Sequence, residues 1–550
     1  MTDFLRALGF PPWAYWTAAL TALAAWLAVA AFPSPAGSSG WSRLRHPTAF
    51  ALLLLGAMFA LRWPAIFHFR PVNPDEAQFL AGALTILARG ELGWLDATTS
   101  GPLVVLPLTL PGLLGTPVDF AAGRLVALLL QWGTVVLAYL SLRHLHGDRP
   151  ARLLVLPLAA FYACLLFWDF VPYSSESAPV FLCALAAWLL LTAFSAEGLV
   201  TRRARLAAGG GVLGLLPFSK FQVIPLGAAL GSAVLTWLLF QPTDRRRKLA
   251  DAAGLAAGVV AGAGGMLLAL GASGHGADFY ESYWVHNLFY AGAGRLPDTS
   301  PLELLAHLSG FSWGFSAFQL GLLLLVAVGT ACRSRPPWRS LLLGWSLVLA
   351  AYLAVVVPGR LYPHYLLFLP LPLALLAAIT FGPLIARSRR PVLWWTLFLG
   401  VGAGAPLVDR AWDRHDLSRL VPAAGPRDRV VAFINHVKRP GDTLAIWGWR
   451  PEVYVETQLP QATREALAEA QINVHPQRDY YRARFLADLE AGRPAFFLDA
   501  TGPADFILHD RDRYGHEIFP ALHDLVTRSY TLVSRQEPLR LYVRNDLLAR

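Results

Sequence analysis

The sequence predicts a polytopic α-helical membrane protein of about twelve spans, followed by an α/β domain outside the membrane. Three observations predict it. The chain is 55% hydrophobic and only 15% charged over 550 residues, whereas soluble domains carry about 25% charged residues. Its apolar runs recur at lengths near the roughly 20 residues that cross a bilayer. Beyond residue 408 the composition changes to a polar tail with alternating helix and strand signals.

Taken in order, spans are expected near 12–32, 48–67, 120–142, 152–171, 178–196, 206–219, 221–240, 251–271, 312–331, 339–357, 364–385 and 391–408. The sixth is short and reads equally as a broken or re-entrant piece. The first, AWLAVAAFPSPAG at its end, also has the small residues of a cleavable leader, but only Arg6 precedes it and it is long. Cys164, Cys183 and Cys332 all lie in or beside apolar spans, so no disulfide framework is implied.

Loop charge sets the expected orientation. Arg43 and Arg45; Arg143, Arg149 and Arg152; Arg202, Arg203 and Arg205; Arg245, Arg246, Arg247 and Lys248; Arg333, Arg335 and Arg339; and Arg387, Arg389 and Arg390 fall in alternate loops, which are therefore cytoplasmic. The opposite loops hold acids instead, among them Asp75, Glu76, Glu91, Asp96, Glu176, Asp278 and Glu281. Most of the formal charge of +10 is thus topological, and nucleic acid is not an expected partner. Residues 1–408 read as the membrane domain, with large outer loops at 68–119 and 272–311, and 409–550 as the outer α/β domain. In that tail, RVVAFINHVKRPGDTLAIWGW reads as helix, turn and strand, Glu465–Gln471 and Arg482–Gly492 as amphipathic helices, and PAFFLDATG as a buried strand.

The outer loops hold the residues that can carry chemistry. Asn73-Pro74-Asp75-Glu76 follows the 48–67 span. By local grammar it is a helix start: Asn at the cap, Pro at N1, acids in the first turn. A carboxylate pinned there, at the membrane surface, is also a well-oriented general base. Lys220, in GLLPFSKFQVIPL, lies between two apolar pieces at the outer face and is one of only three lysines among 46 basic residues. Ionisable groups in such places are costly and mark function, so Lys220 is a candidate for holding phosphate, with snorkelling to the interface as the plainer account. Arg360-Leu361-Tyr362-Pro363-His364-Tyr365 opens another span. Its guanidinium, imidazole and phenols suit a phosphate headgroup whose tail lies along the helix, and they equally suit an interfacial belt. Tyr173-Ser174-Ser175-Glu176-Ser177 and the group Trp284, His286, Asn287 and Tyr290 offer hydroxyls, an acid, aromatics and an amide to a sugar or acceptor; helix capping and an aromatic belt are the simpler readings.

No Walker A, GxGxxG, HExxH or CxxC motif occurs, so neither ATP nor a structural zinc is supported. No motif marks a certain cofactor. A divalent cation held by Asp75, Glu76 and either His286 or Asp96 would suit the oxygen-rich ligand set, although the spacing gives it no specific support.

Together these features resemble the GT-C glycosyltransferases, and within them bacterial relatives of protein O-mannosyltransferases and of the lipid A aminoarabinose transferase. The resemblance rests on NPDEAQFLAGA, TSGPLVVLPL, HYLLFLPLPLALLA and DTLAIWGWRPEVYVETQLPQATR, in order between residue 48 and about 470. It implies a GT-C-like fold and a hexosyl- or pentosyl-type transferase in the bacterial inner membrane. Its donor would be a polyprenyl-phosphate-linked sugar, and its acceptor a lipid, glycan or protein on the outer side. Asp75 would be the general base, assisted by Glu76, with inversion at the anomeric carbon. Lys220, Arg360, His364 and Tyr365 would hold the donor phosphate, and Tyr173, Glu176, Trp284, His286 and Asn287 the sugar or acceptor. The leading span at 12–32 departs from the family's usual start.

A secondary transporter is the alternative that twelve spans also allow, but carriers place charges near the midplane and repeat their halves. Here the candidate groups crowd one face. A scaffold whose tail binds wall material would leave Lys220 and Arg360–Tyr365 without a role.

Overall fold

The computed structural model describes residues 17, 20–25, 28, 46–67, 72–90, 100–195, 198–293, 299–332, 336–387, 391–412, 426–503, 505, 507–536 and 539–548. The chain divides into two compact units. The first comprises Met1–Phe69, Arg124–Ala269 and Leu288–Leu420; the second comprises Arg70–Gly123, Leu270–Asn287 and Val421–Arg550.

The first unit is a polytopic helical membrane fold. Among the described residues eight helices of the chain are long and apolar enough to cross a bilayer: Pro47–Phe67, Phe120–His146, Phe221–Leu239, Arg245–Ala272, Trp313–Ala331, Trp338–Val356, Pro363–Ile385 and Val392–Arg410. Pro363–Ile385 is the central one, with 89% of its apolar window buried against 17% for Arg245–Ala272. The expected first span, 12–32, lies largely outside the described residues.

Three expected spans take other forms, two of them for reasons that proline explains. The 152–171 run is two helices, Asp148–Leu154 and Leu156–Cys164. Pro157 in the first turn of the second piece has no N–H to continue the ladder of the first. The 178–196 run is a 17-residue helix, Ser177–Ala193. The 206–219 run starts earlier, as helix Leu199–Leu215, and tightens into a 3-10 turn, Leu216–Phe218, at Pro217.

Helices Leu199–Leu215 and Arg245–Ala272 pack backbone to backbone. A Cβ on Gly214 would lie 2.2 Å from the Val259 carbonyl oxygen, and one on Gly258 would lie 2.0 Å from that of Ala207. Small residues permit this approach in a membrane, where packing replaces the hydrophobic drive. At one end of the pair the fully buried Asp251 sits 2.7 Å from the Arg202 guanidinium.

The second unit is built on a four-stranded sheet: β1 (Leu444–Trp447), β2 (Phe496–Asp499), β3 (Tyr530–Gln536) and β4 (Leu539–Arg544), in the order β1-β2-β4-β3. β1 and β2 are parallel, and the other pairs antiparallel. Both faces of β1 and β2 are covered, so Leu444–Trp447 and Phe496–Leu498 read as apolar runs. Leu444, Ile446, Phe496 and Leu498 share one core with Val430 and Ile434 of helix Pro426–Val437. Ala445, Trp447 and Phe497 share the other with Phe485 and Leu489 of helix Arg478–Gly492 and Leu522 and Val526 of helix Pro520–Ser529.

Helix 426–437, the turn and β1 form where the sequence placed them. The amphipathic pattern around Glu465–Gln471 yields only Glu469–Ile472. The chain before it is drawn into an isolated bridge, Gln461 against Leu444, with Ala462 N–H donating to the Leu444 carbonyl. The hairpin β3–β4 was not anticipated, although Leu539, Leu541 and Val543 alternate inward with period two. Nor was the origin of one core residue: Ala81, from the helix that follows Asn73, belongs to the same core as Val430, Ile446 and Tyr454.

Candidate functional site

In the second unit, Asn73 caps helix Pro74–Arg89. Its Oδ1 accepts the backbone N–H groups of Asp75 (2.9 Å) and Glu76 (3.3 Å). Pro74 occupies the first turn, where its missing N–H costs nothing, and Gly90 closes the far end at φ 69°. The two carboxylates differ in kind. Asp75 is half-buried, and its Oδ1 accepts the Gln78 amide at 3.1 Å. Glu76 is fully buried, and a Cβ on Gly123 would lie 3.6 Å from its Oε1. Of the two, Asp75 has the face open to a reactant.

The candidates in 272–311 meet the C-terminal part of the same unit. Tyr280–Val285 forms a π-helical turn, an uncommon element that recurs at functional positions. Trp284 is half-buried there. The His286 ring lies 5.6 Å from both His475 and Tyr481. Asn287 donates its amide to the Tyr283 carbonyl at 2.7 Å, so that part of it is engaged within its own helix. Around them an ionic lattice docks the segment. Tyr480 donates to Asp278 at 2.6 Å, Arg464 pairs with Asp278, Gln477 donates to Glu281 at 2.8 Å, and Arg484 donates to Ser282 at 2.8 Å.

In the first unit, Lys220 interrupts two 3-10 turns in extended conformation (φ −160°, ψ 139°). Pro217 and Pro225 flank it and prevent a continuous helix. Its ammonium donates to Ser175 Oγ at 2.6 Å and to the Glu176 carboxylate, and lies 4.8 Å from the centre of the Tyr365 ring. Glu176 is fully buried and Lys220 nearly so. His364 is held by Asp169: backbone N–H and Nδ1 meet Asp169 Oδ2 at 2.8 and 3.0 Å. The His364 ring stacks on Tyr362 at 5.6 Å and meets Tyr365 edge-on at 5.0 Å. Arg360 lies over the Tyr290 ring at 4.0 Å. Tyr173 is fully buried.

Lys220, Glu176, Tyr365 and His364 thus form one continuous set, while Asp75, Glu76, Trp284, His286 and Asn287 belong to the other unit. Beside Glu176, Gln131, Thr134, Tyr162 and Ser177 line a cavity of about 10 Å³. Three members of these surroundings escaped the sequence reading. Asp169 lies in an apolar run, and Arg62 and Gln131 lie inside spans, where Arg62 pairs with Gln131 and donates to the Val171 carbonyl at 2.9 Å. An ionisable group in an apolar segment was the signal available for Asp169 and Arg62.

Among the described residues one group of three acids or histidines comes within ligand distance of a common point: Asp499, His516 and Glu517. It is already filled by charge. The Arg511 guanidinium lies 2.8 Å from Asp499 and 2.9 Å from Glu517, and His516 Nδ1 lies 2.6 Å from Asp499. Burial pushes the Asp499 carboxyl up, but the hydrogen bond with His516 and the charge of Arg511 outweigh it and hold it at about 2. This is an ion-pair network rather than a cation site. Asp75, Glu76 and His286 do not form such a group, and Asp96 lies outside the described residues.

No family model and no curated protein sequence matches the chain. Solved structures do. ArnT from Cupriavidus metallidurans in the apo state matches with a TM-score of 0.58 and 13% identity, over 92% of this chain and 98% of that one. The same protein bound to undecaprenyl phosphate matches with a TM-score of 0.60 and 13% identity, over 93% and 99%. Identity at this level speaks for architecture alone, and it does so along nearly the entire chain: the fold is similar to that of the two ArnT structures.

Proposed function

We propose that the protein is a membrane glycosyltransferase that moves a hexosyl- or pentosyl-type sugar from a polyprenyl-phosphate donor to an acceptor at the outer face of the bacterial cytoplasmic membrane. The observation that carries the proposal is the contrast within one capped helix turn: Asp75 half-exposed and Glu76 fully buried. It stands in a chain whose fold is that of a protein seen bound to undecaprenyl phosphate.

Asp75 takes the proton of the acceptor hydroxyl or amine as that atom attacks the anomeric carbon. The bond from that carbon to the phosphate oxygen breaks, and the configuration inverts. The polyprenyl phosphate leaves with its charge held by Lys220, Arg360, His364 and Tyr365. Donors aimed at charge that grows in the transition state are worth more than donors to the ground state. Glu76 supports Asp75 from the core. Glu176, in its contact with Lys220, serves chiefly to balance that ammonium. Tyr173, Trp284, His286 and Asn287 are left for the sugar and acceptor.

The test is mass spectrometry of envelope glycans and polyprenyl-phosphate sugars from cells carrying wild-type or Asp75→Asn protein. Loss of one glycan substituent with accumulation of one lipid-linked sugar is the expected result. Unchanged glycans and lipids, with the variant at normal abundance, would reduce Asn73–Glu76 to a helix cap and reopen transport.

A further inference from the structure

The helix that carries Asp75 is not free-standing. Thr85, fully buried one face away from its end, receives the Gln461 backbone N–H at 2.9 Å, and its Oγ1 lies 3.4 Å from Gln461 Oε1. The same hydroxyl donates to the Ala81 carbonyl at 2.8 Å, so the pair grips the helix at its own backbone. Gln461 is itself fixed. Its Nε2 donates to the carbonyls of Thr463 and Arg464 at 3.2 and 3.0 Å. Its backbone pairs with Leu444, the first residue of β1. One turn earlier on the helix, Ala81 is inserted without exposure into the sheet core beside Val430, Ile446 and Tyr454. Gln458 ties the same stretch of chain to the segment after the helix, donating to the Val118 carbonyl at 3.2 Å.

We infer that the C-terminal α/β domain is a positioning device for Asp75, and that Gln461 is the positioning residue through which β1 sets the rotation and depth of helix Pro74–Arg89. The physical case is one of rigidity. Ten residues of α-helix separate Asp75 from Thr85, about 15 Å, and a buried helix of that length transmits displacement without absorbing it. A general base that is 1 Å out of place loses roughly a hundredfold in rate. A buried backbone N–H donated to a buried hydroxyl more than 370 residues away in sequence makes a hold that water cannot imitate, since neither group is solvated when the other is removed. The positioning geometry stands by itself; its consequence for turnover rests on Asp75 being the base.

The test uses the full-length protein in lipid nanodiscs and in cells. Thr85→Val, which removes the acceptor of the Gln461 N–H, and Gln461→Ala, which keeps that N–H but removes the Nε2 bonds that fix its loop, should each speed amide hydrogen exchange over residues 77–84 by about tenfold, with β1 and β2 still protected. The envelope substituent that Asp75→Asn abolishes should fall by about tenfold or more per molecule of protein. Thr85→Ser, which keeps the hydroxyl, should restore both. An oxidised Thr85→Cys/Gln461→Cys pair, which locks the same contact, should retain transfer. Unchanged exchange in Gln461→Ala and Thr85→Val would overturn the inference. So would unchanged transfer in both variants while Asp75→Asn is inactive. If Asp75→Asn is itself active, the functional reading fails instead, and the exchange data still decide whether Gln461 holds the helix.

Discussion

Lys220 and Glu176 form a buried ion pair, closed by Ser175, whose Oγ lies 2.6 Å from the lysine Nζ and 3.2 Å from a Glu176 oxygen. The arrangement separates two effects that a single substitution would confuse. Removing one partner of a buried pair leaves the other charge stranded and costs about 3–5 kcal/mol. Lys220→Met should therefore lower the thermal stability of the purified protein markedly, whatever its role in chemistry. Lys220→Met combined with Glu176→Gln removes both charges and should recover most of that loss. On the proposed function the double variant still lacks the ammonium that meets the phosphate, so it should be folded and inactive in the envelope assay. A folded and fully active double variant would move the phosphate site elsewhere.

The glycine contact between helices Leu199–Leu215 and Arg245–Ala272 gives a second expectation, on stability alone. A side chain at Gly258 meets backbone, the Ala207 carbonyl at 2.0 Å from a Cβ, and backbone cannot rotate aside as a side chain can. Gly258→Val should separate the helices and cost about 1–3 kcal/mol. It should also strain the Arg202–Asp251 pair that the same two helices share. Gly264→Val, on the same helix with nothing within 4 Å of its Cβ, is the control and should melt as wild type does. Thermal unfolding in one detergent compares the two.

What the sequence made legible follows from how far its signals reach. The cap at Asn73 and the break at Lys220 are written in neighbours, Pro74 in one case and Pro217 and Pro225 in the other, so local rules find them. The partners are not local. Glu176 lies 44 residues before Lys220, and Asp169 lies 195 before His364; no periodicity marks such pairings. Glu176 read as a sugar ligand, with Ser175 or Ser177 as the helix cap, for that reason. In the structure it sits at the start of helix Ser177–Ala193 without making a side-chain cap bond, and it faces Lys220 instead. The entry of Ala81 into the sheet core is the extreme case, because alanine on an amphipathic helix carries no information about which surface it will meet. Strands β1 and β2 were legible because both faces are covered and Leu444–Trp447 and Phe496–Leu498 are apolar runs.

The α/β domain should carry two opposite pH dependences, and they arise from two named carboxyls. Asp488 is largely buried; burial, and after it the neighbouring Glu465 carboxylate, push its carboxyl up to about 6, with Arg464 too weak to offset them. A folded value above the unfolded one means that the folded state keeps the proton longer, so stability falls as pH rises through the interval from about 4 to 6 and stays lower above it. Asp488→Asn abolishes that slope and should raise the melting temperature at pH 8, with the difference vanishing near pH 4; a shift of this size corresponds to on the order of 3 kcal/mol. Asp499 behaves the other way. Held at about 2 by His516 and Arg511 against its own burial, it contributes stability above the unfolded value near 4 and loses it as pH falls towards 2. Asp499→Asn should therefore destabilise the domain at pH 7 by on the order of 2 kcal/mol and blunt its acid unfolding. Melting curves of the wild type and both variants between pH 3 and 8 should show the two slopes separately. If Asp488→Asn melts below wild type at pH 8, the pairing with Arg464 outweighs burial and the assignment of the upper slope to Asp488 is wrong.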